Sequence, residues 1–489
     1  MKSYSKIRLL PRIQDIFFIA LFFAVLVLGN RMLNLDGDLP RHLLMGQQIL
    51  QTKQVPTTEL FIHPYIGRHY VTHEWLADVL FFGIYSAVGL KGIVLFAAIA
   101  LATTFFLIYQ YVTARFQNKL GAFFLVAWGG LATSLNWATR PHLFSMLFLA
   151  IWLIWADKLR RGEKISIWIF PAFMVLWSNT HGVFIAGILV LFAYSVGWVV
   201  DILLDKDNAN KEVGKNLWLA LILSTLASLL NPGGSGSWQS ILGFVNNQYL
   251  MSRMLEANPP NFQMPEMRIL LGLIIISIFL LATKKERISS GQGLLLAGFT
   301  AMSLIAFRNI HLYGVVAPFV LAATLNTFSD IPFLQRLESS LHRIESQIKG
   351  VFWVIASTVI FSALIFTLTI ADKLYQFDSE MFPVSAVKWL QENPQEGKMF
   401  NYLNWGGYIT FHLYPEQLAF VDSVADVTGE VTMEYETVIE LLPGWEDVFQ
   451  QYDIQWVIIP SDSILAKTLA TNGQWKVLYE DETAIILRK

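Results

Sequence analysis

Leu35-Asp36-Gly37-Asp38-Leu39-Pro40-Arg41-His42 follows the first long apolar run of the chain, Ile16 to Leu28, and opens a loop that continues to Thr72-His73-Glu74-Trp75. The fold turns on this reading: two carboxylates, an arginine and a histidine stand at the mouth of an apolar segment. They form either a polar collar or a catalytic loop, provided the segment before them crosses a bilayer. Composition supports the crossing. Of 489 residues, 54% are hydrophobic and only 15% charged, against about 25% charged in an ordinary soluble domain. The mean hydropathy is +0.48. A formal net charge of −2 without a basic cluster argues against a nucleic-acid partner. The chain has no cysteine, which removes disulfides and thiolate metal sites.

Lys2, Lys6, Arg8 and Arg12 precede the first run, and no small-x-small cleavage site follows it; the next residues are Gly29-Asn30-Arg31-Met32. This describes an uncleaved anchor with its basic end in the cytoplasm. Further apolar stretches of roughly the 20 residues a bilayer requires lie near 91–111, 119–136, 141–156, 165–179, 182–201, 216–230, 268–283, 290–306, 309–328 and 350–371, making eleven with the first. Leu76 to Leu90 is also apolar, but counting it as a crossing breaks the charge alternation, so it reads as an interfacial or re-entrant helix. The basic loops are Arg115 and Lys119; Lys158, Arg160, Arg161 and Lys164; Lys206, Lys211 and Lys215; Lys284, Lys285 and Arg287; Arg336, Arg343 and Lys349. They alternate with the N-terminus and belong in the cytoplasm. An odd number of spans puts the chain from Ala371 onward outside.

The expected fold is therefore a polytopic α-helical membrane protein of about eleven transmembrane helices. Residues 1–371 form the membrane domain, with a large first outer loop at 34–75, and residues 372–489 form a small extracytoplasmic α/β domain. In that tail, strands are expected at Lys398–Tyr402, Leu418–Asp422, Trp456–Ile459, Trp475–Tyr479 and Ala484–Leu487, with helices at Val384–Gln391 and Ser463–Ala470, in a mainly parallel sheet. The glycines of Asn401-Tyr402-Leu403-Asn404-Trp405-Gly406-Gly407-Tyr408 suit a sharp strand-to-helix turn.

The unusual polar residues fall on the outer side. The first loop holds Asp36, Asp38, Arg41, His42, Glu59, His63, Arg68, His69, His73 and Glu74; later loops hold Asn136 to His142, Trp177 to Gly182, Asn231 to Trp238, and Phe307-Arg308-Asn309-Ile310-His311. Singly, each has an ordinary explanation. Arg140 and Arg308 snorkel to the interface, Asn179 and His181 cap a helix end or bridge two spans, and Asn231-Pro232-Gly233-Gly234 stops a helix. Ionisable groups at membrane depth are costly, so five such loops on one face point to a shared polar cavity at the outer leaflet.

Other chemistries lack their residues. No G-x-x-x-x-G-K-[ST] is present, and His73-Glu74 opens no zinc-protease helix because Ala77 stands where the second histidine must be. Gly234-Ser235-Gly236 lacks the partners of a serine nucleophile. An acidic pair beside arginines and histidines suits transfer from a lipid phosphate: a carboxylate takes the proton of an attacking hydroxyl and arginines hold the leaving phosphate. Facing outward, the site has no nucleotide supply, so its donor must be borne by lipid.

This layout resembles the GT-C superfamily of integral-membrane glycosyltransferases, which includes protein O-mannosyltransferases, the aminoarabinose transferase and oligosaccharyltransferases. The resemblance is carried by Asp36-Gly37-Asp38 after the first span and by the long loop running into His73-Glu74-Trp75-Leu76. It is also carried by three short turns seen in bacterial membrane proteins of this class: Arg140–Phe144, Asn179–Gly182 and Asn401–Tyr408. It implies transfer of a sugar from a polyprenyl-phosphate carrier to a glycan, lipid or protein acceptor at the outer face of the cell membrane. Asp36 or Asp38 is then the general base, and Arg41, His42, His73, Glu74, Arg140, His142, Asn179, His181, Arg308 and Asn309 bind substrate or phosphate. Members usually show adjacent acids where Gly37 separates these two, which leaves the base open between them, with preference for Asp36, nearer the span. Metal use is open; two carboxylates with a phosphate suit Mg or Mn. The competing readings are a flippase or transporter of a lipid-linked saccharide, expected to show mid-membrane polar breaks and matching halves, and a non-catalytic assembly protein.

Overall fold

Asp15 accepts from Arg12 N–H at 2.9 Å and pairs with the Arg12 guanidinium across the first helical turn, and the apolar run continues into α1 (Ile13–Leu33). The computed structural model describes residues 10–116, 118–204, 210–283, 288–328, 331–345, 352–423 and 429–489. Lys2, Lys6, Arg8, Lys206, Lys284, Lys285, Arg287 and Lys349, assigned above to the cytoplasmic side, lie outside the described residues.

After α1 come α2 (Asp38–Thr52), α3 (Trp75–Val88), α4 (Leu90–Phe116), α5 (Lys119–Thr133), α6 (His142–Arg160), α7 (Ile169–Ser178), α8 (Phe184–Leu204), α9 (Lys211–Ala227), α10 (Ser235–Asn246), α11 (Gln248–Arg253), α12 (Arg268–Thr283), α13 (Ser290–Ile305), α14 (Ile310–Leu321), α15 (Pro332–Glu345), α16 (Phe352–Thr367) and α17 (Thr369–Leu374). Each of the eleven apolar stretches forms helix. Among the described residues, five segments are long and apolar enough to cross a bilayer alone: α1, α4, α6, α8 and Pro265–Thr283, which ends in α12. The chain is an integral membrane protein. The other six helices run from 10 residues in α7 to 17 in α9, shorter than the expected spans of roughly 20. Tight 3-10 turns at Ser134–Asn136 and Ala322–Phe328 take up the ends of two of the stretches. The packed pairs are α1 with α4, α5 with α14, α8 with α13 and α4 with α6. The segment read as interfacial is α3, which packs along α2.

Beyond α17 lie α18 (Val384–Glu392), β1 (Lys398–Asn401), α19 (Gly406–Leu413), α20 (Glu430–Ile439), α21 (Trp445–Gln451), β2 (Ile454–Pro460), α22 (Ile464–Thr471), β3 (Lys476–Glu480) and β4 (Ala484–Arg488). Alternation along the strands divides two cores. Phe400, Val457, Ile459, Ile485 and Leu487 pack under α20, α21 and α22; Met399, Trp456, Ile458 and Ile486 pack under α18 and α19. The sheet order is β1-β2-β4-β3. Only β1 and β2 are parallel, whereas β2–β4 and β3–β4 are antiparallel. The expected mainly parallel sheet is thus mixed, because β3 and β4 are joined by Asp481-Glu482-Thr483, too short for a parallel crossover.

Leu418–Asp422 is not a strand of this sheet. Ala419 instead bridges Ile62 of the first loop, accepting from His63 N–H at 2.8 Å and donating to Phe61 O at 2.9 Å. The C-terminal region is thereby stitched to the same end of the helical body that bears the acidic pair.

Candidate active site

The end of α1 places Asp36. Asn34 closes the helix and donates its side-chain amide to Gln376 O (3.0 Å), while its Oδ1 accepts from Asp378 N–H (2.8 Å). Met32 O accepts from Thr139 N–H at 3.1 Å and from the Thr139 hydroxyl at 3.2 Å. That pins the Arg140 turn against the helix end. Asp36 Oδ1 then accepts from Asp38 N–H at 3.0 Å, and Asp38 begins α2, where a carboxylate suits the helix dipole.

Arg140 lies between the two acids, with Nε 2.9 Å from Asp36 Oδ2 and 2.8 Å from Asp38 Oδ2. Its Nη1 lies 3.1 Å from Glu256, whose other oxygen is 3.5 Å from Arg308. The structure therefore brings Asp36, Asp38, Arg140 and Arg308 into one line of charges through Glu256. Burial, then the charge of Asp38, raises the Asp36 carboxyl above the ordinary range, against the lowering effect of Arg140.

Beside this line, the rings of His142 and His311 lie 5.4 Å apart. Both residues are buried, and His142 Nε2 has no hydrogen-bond partner among the described residues. A second cluster centres on Glu74, whose carboxylate lies 3.4 Å from His181 Nε2, 3.8 Å from His73 Nε2 and 3.9 Å from His42 Nε2. Trp177 Nε1 donates to Ser145 Oγ, which lies 2.8 Å from His181 Nδ1. Ser145 can then donate to His181, leaving His181 Nε2–H for Glu74. Burial, reinforced by His142, His311, His73 and Arg308, holds His181 well below the ordinary imidazole range. Those same neighbours place it within electrostatic reach of the arginine line.

His42 behaves oppositely. Burial opposes its charge, but the 2.7 Å hydrogen bond from Nδ1 to Asp78 and the surrounding carboxylates push it up to about 9. A folded value above the ordinary 6.5 makes its stabilising contribution complete below pH 6.5 and lost as pH rises through 9. Asp78→Asn should lower thermal stability in detergent at pH 6 and progressively less towards pH 10. An equal loss at both ends would exclude the charged pair.

Three predicted ligands hold structural positions instead. Arg41 is buried, with Nη2 2.9–3.0 Å from both oxygens of Glu59 and Nε 3.0 Å from Asp422, and its guanidinium lies 4.2 Å over Phe61. Two carboxylates already hold it, so it is no phosphate ligand in this arrangement. Asn179 accepts from Trp75 Nε1 (2.7 Å) and donates to Val175 O (2.7 Å) and Leu230 O (2.9 Å). Its amide is used up joining the start of α3 to the ends of α7 and α9. Asn309 donates to Met302 O (3.1 Å), closing α13. No residue type announces such a partner in sequence: Arg41 and Asn179 depend on distant segments, and Asn309 on how the chain turns after α13. Glu256, Asp78 and Ser145 join the site without a signal in the sequence that marks them as members. Asp78 is the most legible of them, one turn into α3 from Glu74 at its N-cap.

The paired glycines also act differently from the expectation. Gly406 has ordinary helical angles (φ −55°, ψ −48°). A Cβ there would collide with Val421 O, one on Gly407 would lie 2.7 Å from Gly37 O, and one on Gly37 would collide with Asn404 O. Close approach, rather than a sharp turn, requires these glycines, and it explains the glycine between the acids. Gly37→Ala should displace Asp36 from Arg140 and lower activity even when folded protein accumulates, as proteolysis and size exclusion would verify.

A cleft of about 520 Å³ opens between Asn34–Gly37 and the C-terminal region, lined by Asp36, Glu380, Tyr402, Trp405, Asp462 and Glu482. Among the described residues, no group of three or more His, Asp or Glu side chains is arranged to hold a metal ion. Between Asp36 and Asp38, the position a cation would take is held by the Arg140 guanidinium, so Mg or Mn does not fit the pair as arranged.

Compared with solved structures, the chain aligns over nearly its whole length with two membrane proteins. With the oligosaccharyltransferase of Archaeoglobus fulgidus, the TM-score is 0.57 at 12% identity, over 94% of this chain and 70% of that one. With ArnT from Cupriavidus metallidurans, it is 0.54 at 12% identity, over 96% and 97%. The chain has the GT-C fold. The ArnT structure bound to undecaprenyl phosphate aligns at a TM-score of 0.51 and 13% identity. No protein-family profile and no curated protein sequence matches the chain.

Proposed function

We propose that this protein transfers a sugar from a polyprenyl-phosphate donor to an acceptor at the outer face of the cell membrane. The observation that carries this reading is the line Asp36/Asp38–Arg140–Glu256–Arg308 beside His142 and His311 in a GT-C fold. A base and a set of phosphate ligands lie within reach of one phosphosugar. The likeness to ArnT, solved with undecaprenyl phosphate, supports a lipid-borne donor. The basic loops described above support an N-terminus in the cytoplasm and residues 372–489 outside.

Asp36 is the proposed base. It lines the cleft, and a raised pKa brings it nearer the pH at which it must take a proton. An acceptor hydroxyl in the cleft gives its proton to Asp36 and its electron pair to the anomeric carbon. The bond from that carbon to the phosphate oxygen breaks, and the polyprenyl phosphate leaves with the electrons. Arg308, with His142 and His311, receives the phosphate charge. Asp38 holds Arg140 in place. The aromatic and acidic lining of the cleft suits a hydroxyl-rich acceptor. An assembly protein without chemistry would have no need of an acidic pair drawn onto a half-buried arginine, which favours the enzymatic reading.

Glu256 competes with phosphate for Arg308. Glu256→Gln is therefore expected to tighten binding of undecaprenyl phosphate several-fold, measured on the purified protein. The reading as a whole is tested by transfer of radiolabelled sugar from polyprenyl-phosphate donors in reconstituted vesicles. If Asp36→Asn, Asp38→Asn and the double substitution all keep full transfer, the assignment fails.

A further inference from the structure

At the opposite end of the bundle from the site, α15 has no buried side chain. Its apolar residues Phe333, Leu334, Leu337, Leu341 and Ile344 fall on one stripe; Phe333 is 71% exposed, Leu337 39% and Ile344 54%. One flank carries Glu338 and Glu345, seven residues apart and turned into the bundle. Glu338 accepts from Leu120 N–H at 2.7 Å, while Glu345 accepts from Ile13 N–H at 2.8 Å and pairs with Lys119. The two glutamates thus cap the first turns of α5 and α1. The other flank carries Arg336 and Arg343, and the arc opposite the stripe is polar, with Gln335 and Ser339.

We infer that α15 is a foot resting on the membrane surface, its apolar stripe sunk into the headgroup–acyl boundary of an anionic leaflet. Three observations select lipid as the occupant. The glutamate clamps fix α15 level with the starts of α1 and α5, where the apolar body begins. The chain enters α15 from apolar α14 and leaves it for apolar α16. Arginines along the exposed flank, beside an apolar stripe, match anionic headgroups above an acyl layer. The far end of α1 delivers Asp36 and the far end of α5 leads to Arg140, so the foot holds together the near ends of the two helices that carry that pair.

The chain has no cysteine, so single cysteines can be placed in the full-length protein without a background. Phe333→Cys, Leu337→Cys, Ile344→Cys and Ser339→Cys, each carrying a nitroxide label, are reconstituted in vesicles of phosphatidylcholine and phosphatidylglycerol. Collision with oxygen and with a water-soluble nickel chelate is then measured. The first three labels are expected to show an oxygen-to-nickel collision ratio several-fold above that at position 339. In pure phosphatidylcholine the ratio at the apolar positions should fall, because the arginine flank loses its anionic partners. Nickel access at 337 and 344 equal to that at 339 would overturn the proposal. So would labels shielded from both reagents, which would mean that protein covers the stripe, or ratios unchanged by removing phosphatidylglycerol, which would remove the anionic partner.

Discussion

Asp36→Asn is expected to lower sugar transfer roughly 10²–10⁴-fold, the usual scale for losing a positioned general base, with the protein still accumulating in the membrane. The amide keeps the shape of the carboxylate but has one acceptor oxygen, so it keeps the contact with Asp38 N–H or with Arg140 and not both; Arg140 is still held by Asp38 and Glu256, so folding should be little affected. What it cannot do is take a proton. Asp38→Asn should cost less, because that acid holds the guanidinium rather than lining the cleft. The decisive measurement is a rate against pH for each variant, with donor binding followed separately. If Asp36 is the base, binding of undecaprenyl phosphate persists in Asp36→Asn while turnover disappears. Lost binding with residual turnover would transfer the acid's role to organising Arg140. A rate lowered more by Asp38→Asn than by Asp36→Asn would reverse the assignment between the two acids.

Arg41→Met should be the most destabilising single change in the first loop, by about 3–5 kcal/mol, because it leaves two carboxylates with an uncompensated buried charge. Arg41 has 2% of its side chain exposed, against 6% for Glu59 and none for Asp422. Glu59 also accepts backbone N–H groups from Leu60, Phe61 and Ile62. The arginine therefore ties α2, the loop beyond it and the C-terminal region into one unit beneath Gly37. Unfolding in detergent, followed by tryptophan fluorescence, should show a clear fall in Tm. Arg41→Lys should recover only part of it, since a point charge cannot reproduce the forked contacts to Glu59. Replacing all three charges together with Met, Gln and Asn should be milder than the single change. Unchanged stability with lost donor binding would instead restore Arg41 as a phosphate ligand.

These two residues stand five positions apart in the same stretch, and the sequence did not distinguish their tasks. Asp36 and Arg41 both read as polar groups at the mouth of a span. Only the fold shows that Arg41 points towards Glu59 and Asp422, separated from it by 18 and 381 residues, while Asp36 faces Arg140. The same holds for Asn179, which looked like a ligand in a polar turn and is spent on Trp75 and two helix ends. Glu256 has no mark in the sequence because a lone glutamate between helices has no periodicity to single it out.

The sequence by itself determined where the chain is apolar, because hydropathy is a local property that a bilayer reads segment by segment. All eleven apolar stretches are helical, and four of the five expected C-terminal strands lie in the sheet. It also located the polar loops. Tertiary structure alone decided how those loops meet. The contact of Thr139 with Met32, the seating of Gly407 on Gly37 and the bridge from Ala419 to Ile62 join segments 107 to 370 residues apart. Each needs a backbone approach that leaves no local signature except a glycine. Pairing between strands and partners for buried charges are properties of such meetings, which is why the mixed sheet and the Arg41 triad emerged only in three dimensions.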